Sequence, residues 1–307
     1  MTTRVSTAGN YQTALLNLMA AQNRQLDAQN RISTEKVATD LAGYGRGSET
    51  LAAMRGSQAR IQGFMDTGDT VAARLTAQDL ALNRVADGAG DTRQAIADAL
   101  AAGSLDGLML ELQGQFQIVQ NGLNAQHQGR YLFGGGNVDT PPVTVATMAE
   151  LNAAPTIDGV FVNDQLKQTS RIDEGQTVQT GFLASDIGAD LFAIFKDIQA
   201  FNATTPITGQ IDDTTRDFLT AQLTRLDGAR SHTTDIAAQN GSLQNRVDAT
   251  LASLQSQKTS LDELIGKRTD VDMAEAVTDL QLSQVAIQAS AQVIAQLRDV
   301  SLLNFLN

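Results

Sequence analysis

The side chains able to do chemistry in this 307-residue chain are few and scattered. His127 and His232 are its only imidazoles. Neither sits in a cluster with metal-ligand spacing, and His127 falls at the end of a Gln-rich helical stretch, so structural or solvated roles are expected for both. Asp270, Asp272 and Glu275 could be drawn as a cation site, but they lack a calcium-loop pattern. Their spacing suits a helix start instead, where Asp272 caps free amides and Glu275 returns a bond to the cap backbone. Asp212 and Asp213 read the same way at another helix entrance and need no glycosidase interpretation.

Gly134, Gly135, Gly136 and Asn137 share only their glycines with a phosphate-binding turn. They lack the Lys-Ser/Thr ending and follow a helix, where a nucleotide motif follows a strand. A flexible exit from one region to the next is expected there. Serines are plentiful, yet none stands in a Gly-x-Ser-x-Gly elbow, and the chain has no cysteine to supply a thiolate or a disulfide. No catalytic, cofactor-binding or metal-binding residue is expected, and the chain reads as a non-enzyme.

The elements that would position any site are long helices. Met273, Leu280, Ile287 and Ile294 recur every seven residues, with Ala276, Ser283, Ser290 and Leu297 three positions later. A helix over 267–307 therefore presents one narrow apolar seam that needs a partner. Tyr11, Leu15 and Leu18 open a second helical pattern running to Ile32, diluted by Gln22, Gln25 and Gln29. Both end helices should be weak in isolation. Pairing them still leaves Leu302, Leu303, Phe305 and Leu306 apolar near the extreme end, which favours an interface with other molecules.

Between the ends, Gly43 to Gly47 marks a connector. From Ser48 to Ala101, Met54, Ile61, Gly68, Leu75, Leu82, Ala89 and Ile96 share one heptad position. Fifty residues of helix span roughly 75 Å at 1.5 Å per residue, a length that belongs to a rod. A second helix through Leu108, Leu112, Phe116, Val119 and Leu123 returns antiparallel after a short loop. Short strands and turns follow around Val143, Val160 to Val162, Arg171, Ile172 and Val178, then an amphipathic helix from Ile187 to Phe201. Helix resumes after Asp212. The expected fold is mainly α: an elongated rod of long antiparallel helices formed by both chain ends, with a small α+β insert. The expected segments are 1–45 (assembly helix), 46–133 (rod helices), 134–208 (compact insert), 209–266 (returning rod helix) and 267–307 (assembly helix).

Composition narrows the function. With 22 basic against 34 acidic residues the net charge is −12, which argues against nucleic-acid binding. No Trp and only 4% aromatic residues suit thin apolar stripes better than one large enzyme core. No stretch reaches membrane-spanning length, so no membrane insertion is expected, and export would use a route other than a cleaved Sec signal.

Five short stretches carry a resemblance: Arg4-Val5-Ser6-Thr7, Ile32-Ser33-Thr34-Glu35-Lys36, Gly129-Arg130-Tyr131-Leu132-Phe133-Gly134-Gly135, Asp270-Val271-Asp272-Met273-Ala274 and Ser301-Leu302-Leu303-Asn304-Phe305-Leu306. In this order the chain resembles bacterial flagellins and, more closely through the 129–135 stretch, the hook-filament junction proteins (FlgL, hook-associated protein 3). Glu35 stands where that family often has Gly, and Asp40-Leu41-Ala42-Gly43-Tyr44 follows its acidic turn only loosely.

The resemblance implies a structural protein of the extracellular flagellum. Such a chain is exported through the type III apparatus, held by a dedicated chaperone, and assembled with copies of itself, flagellin and a second hook-associated junction protein. Tyr11, Leu15, Leu18, Met273, Leu280, Ile287, Ile294, Leu302, Leu303 and Phe305 are the expected assembly residues. Filament flagellin is the alternative within this class, and a secreted binding module the alternative outside it.

Overall fold

The computed structural model describes residues 2–306, with side-chain surroundings for residues 9–297. The elements in chain order are α1 (Thr2–Thr34), α2 (Ser48–Ala102), α3 (Leu108–Leu123), β1 (Gln126–His127), β2 (Arg130–Tyr131), α4 (Met148–Ala153), β3 (Thr169–Asp173), β4 (Gln176–Gln179), α5 (Ala184–Thr204), α6 (Asp213–Thr269) and α7 (Met273–Leu306). The described chain is mainly helical, with long helices from both ends and a small central α+β insert of two two-stranded antiparallel sheets. Helices α2 and α6 run 55 and 57 residues, the length that the heptads of 48–101 require. The chain divides into two compact units, residues 1–60 with 257–307 and residues 61–256.

In the larger unit α2, α3 and α6 pack through the expected stripe. Gly68, Leu75, Leu82, Ala89 and Ile96 are all buried. Two glycines on this face act by close approach, without breaking the helix. A Cβ at Gly68 would lie 2.6 Å from Leu251 of α6, and one at Gly88 would lie 2.7 Å from Val119 of α3. Register between α2 and α6 is pinned by one buried amide within the apolar stripe and one exposed ion pair. Asn240 Nδ2 donates to the Leu75 carbonyl at 2.9 Å, and the Arg93 side chain meets Asp227 at 2.6 Å. A buried amide finds its partner in one alignment only, so it specifies register at some cost in stability.

Large aromatic side chains close the core of this unit. Phe116 of α3 meets Phe192 and Phe195 of α5 at ring-centroid distances of 5.1 and 5.4 Å, and Phe161 meets Phe192 at 5.3 Å. The β3–β4 hairpin buries Ile172 and Val178 against Val71, Leu75 and Val247. Helix α4 lies in a stretch read from sequence as strands and turns. It exists because Thr147 accepts from the Glu150 amide while the Glu150 carboxylate accepts from the Ala146 amide, and Met148 and Leu151 enter the core.

Gly129 to Gly136 differs from the flexible exit that its glycines suggest. Gln128 and Gly129, at φ 52° and 77°, form the two-residue loop of the β1–β2 hairpin, the left-handed pair that a tight antiparallel reversal prefers. Leu132 and Phe133 then plunge into the core. The Gly134–Gly136 turn is fastened by Asp164, whose carboxylate accepts from the Gly136 and Leu166 amides at 2.8 and 2.9 Å. Those two bonds hold the carboxyl below its ordinary range. A Cβ at Gly135 would lie 2.2 Å from the same carboxylate, which explains the glycine there without any phosphate.

Candidate assembly interface

In the smaller unit the two end helices pair with each other. Helix α1 stops at Glu35, which adopts φ 56°, a left-handed conformation that Gly takes without penalty and Glu does not. This is the position where the resembled family often has Gly. The reversed backbone lets residues 35–37 pair with 269–271: the Val37 amide donates to Thr269 at 2.8 Å and the Val271 amide to Glu35 at 3.1 Å. Lys36 Nζ lies 2.5 Å from Asp270. The hydrogen bond from Lys36 leads the causes that lower the Asp270 carboxyl, followed by that from Thr269. Asp272 caps α7, accepting from the Ala274 and Glu275 amides at 2.9 and 3.3 Å. Of the three acids at this helix start, Asp272 thus acts as a cap and Asp270 as an ion-pair partner.

From this clasp α1 and α7 run antiparallel, as the Lys36–Asp270 bridge and the 3.8 Å ion pair of Arg31 with Asp279 require. What lies between them differs from the leucine-on-leucine seam that the large residues suggest. Ala14, Ala21 and Ala28, spaced by seven, are buried on α1, and Ala276 and Ser283, also spaced by seven, are buried on α7. Leu18, Leu280, Ile287 and Ile294 flank this row half-buried. Small side chains leave a hollow of about 420 Å³ where Asn10, Thr13, Ala14 and Asn17 face Ala289, Ser290, Val293 and Leu297.

The large apolar side chains are left facing out. On α1, Tyr11, Leu15, Met19 and Leu26 are exposed and, at about 100° per residue, fall within one stripe of roughly 80°. On α7, Leu282 and Val285 are more than three-fifths exposed. They sit away from the 273–294 heptad, on the other side of the helix. Of the expected assembly residues, Tyr11, Leu15 and Met273 are exposed, whereas Leu18, Leu280, Ile287 and Ile294 are half-buried along the pair. The side chains of Leu302, Leu303 and Phe305 lie outside the described residues. Sequence reading missed Leu16, Met19, Leu26, Leu282 and Val285 as outward groups. Their signal was available as apolar residues off the heptad, on helices whose seam small residues could close.

Other candidate chemistry is dispersed. His232 Nδ1 stands 3.8 Å from Asp190, and His127 lies in the β1–β2 hairpin. Asp212 caps α6 by accepting from the Thr215 amide at 2.7 Å, a bond that lowers its carboxyl below the ordinary range. Among the described residues no group of three or more His, Asp or Glu is placed to hold a metal ion, and no helix is long and apolar enough to cross a membrane.

Comparison with known proteins bears on the C-terminal helices and on the fold. Residues 223–306, which include α7 and most of α6, match the family described as the bacterial flagellin C-terminal helical region. No match is found among curated protein sequences. Among solved structures, the fold is similar to that of a Vibrio parahaemolyticus protein described as flagellar hook-associated. The TM-score is 0.61 at 18% identity, covering 75% of this chain and 99% of that one. It is also similar to FlgL of Bacillus cereus, with a TM-score of 0.57 at 16% identity, covering 70% of this chain and 99% of that one. The fold is thus similar to that of flagellar hook-associated proteins, and residues 223–306 are similar to the flagellin C-terminal helical region.

Proposed function

We propose that this flagellin-like chain is a structural protein of the extracellular flagellar axis, joining hook to filament as a junction adaptor. The observation that carries the reading is the double-sided character of the end helices. Each turns small residues toward the other and large apolar residues outward, and α7 lies in the segment that matches the flagellin C-terminal region. A contiguous apolar surface of this kind marks an interface. Repeated head-to-tail around an axis, such contacts build an open helical array.

In this reading the exposed stripes of α1 and α7 meet copies of the chain, flagellin on one side and a second hook-associated protein on the other. The weak pairing of the ends suits type III export and retention by a chaperone before assembly, because burial by neighbours then offsets the ordering entropy. The role is structural rather than catalytic.

Deletion of the gene tests it. Loss of motility with intact hooks and monomeric flagellin in the medium supports the junction role; normal filaments overturn it. The match to a flagellin region also favours a second reading, a filament subunit. Immunolabelling separates the two: a single narrow band between hook and filament fits the adaptor, whereas label along the whole filament fits flagellin.

A further inference from the structure

A hollow of about 300 Å³ lies within the larger unit beside the β1–β2 hairpin. It is lined by Thr70 and Arg74 of α2, by residues of the hairpin including His127 and Arg130, and by Gln168. No lining residue is acidic, although the chain carries 34 acidic residues and a net charge of −12. Arg74 and Arg130 take part in none of the ion pairs among the described residues. The Arg74 guanidinium has one long bond, 3.5 Å, to the Leu132 carbonyl. The buried Nε2 of His127 has no hydrogen-bond partner.

We propose that this hollow is an oxyanion site, in which the carboxylate or phosphate of a small solute sits between Arg74 and Arg130 with His127 and Gln168 at its edge. A guanidinium is a planar fork that matches such groups with two parallel bonds. Burial here lowers the Arg74 guanidinium from its ordinary range by desolvation alone, with no charge partner to offset it. An oxyanion would supply that partner and give the orphaned imidazole nitrogen an acceptor for its N–H. The volume stands at the small end of ligand pockets, which suits a small anion. Packing explains Leu132 and Phe133 of the same stretch, but it does not explain two cations gathered without a carboxylate.

The test is titration of the full chain with citrate and with inorganic phosphate, each against sodium chloride at matched ionic strength, read by thermal midpoint and amide NMR shifts. Saturable shifts at Thr70, Gln128, Leu132 and Gln168, with a rise in midpoint beyond that in chloride, are expected for at least one probe. Arg130→Gln, at an exposed position, should leave the fold intact and weaken binding about tenfold. Arg74→Gln should abolish it. A response no larger than chloride, or one unchanged in Arg130→Gln, overturns the site. Because the readout is on the unassembled chain, its failure leaves the junction reading standing, and failure of the junction reading leaves the site standing.

Discussion

The two units bury opposite kinds of side chain, and the contrast explains which of them holds itself together. The 61–256 unit encloses Phe116, Phe192, Phe195 and a row of Leu and Ile, each contributing about 1.5–3 kcal/mol on full burial. The pair α1–α7 closes over Ala14, Ala21, Ala28, Ala276 and Ser283, groups contributing about 0.8 kcal/mol per buried methyl or methylene. Its large residues are half-buried, as at Leu18, Leu280, Ile287 and Ile294, or exposed, as at Leu15, Met19 and Leu282. One unit buries its aromatic and many of its large aliphatic side chains in its own core, whereas the other closes over small residues and leaves several large apolar ones exposed.

The largest expected effect separates the units by core size. Phe116→Ala should cost about 3–5 kcal/mol, seen as a lowered denaturation midpoint for the larger unit. A loss under 1 kcal/mol would mean that the aromatic cluster does not organise that unit. Ala21→Leu comes next: the seam has no room for a branched side chain, so overpacking should cost about 1–3 kcal/mol. Amide exchange in α1 and α7 should rise while α3 and α5 stay protected. Unchanged exchange would show the alanine row to be incidental.

A third substitution sharpens the contrast between the two faces of α7. Leu282→Lys lies outward and should change monomer stability by less than about 0.5 kcal/mol, yet abolish incorporation into the flagellum. Ile287→Lys, half-buried on the inward face, should impair both. Normal incorporation of either variant would remove its residue from the interface. The smallest effect concerns the clasp: Glu35→Gly relieves the left-handed strain at φ 56° and should stabilise the monomer by about 1 kcal/mol or less. Destabilisation would mean that the Glu35 side chain contributes more than its backbone costs.

Much of this was legible in the residues. The heptads of α2, the return through Phe116, the Asp272 cap and the connector at Gly43 to Gly47 were all readable, because each depends on neighbours within one or two helical turns. Helix α4 was hidden because its six residues, 148–153, are too few to show a period and are held by Met148 and Leu151 entering a core built elsewhere. The alanine row of α1 was hidden because Ala has no strong preference between core and surface, so the larger Leu15 and Leu18 drew the stripe toward themselves. The fastening of Gly134–Gly136 was hidden because Asp164 lies 28 residues along the chain from Gly136.

By itself the sequence determined where the long helices lie and that the end segments carry more apolar surface than one thin seam consumes. Periodicity and capping act over a few residues, so a linear string records them. Only the tertiary structure decided which side of each end helix turns inward, since that choice depends on how closely two backbones approach. Small residues win the inside because they permit the closest approach, and the large ones are left facing outward.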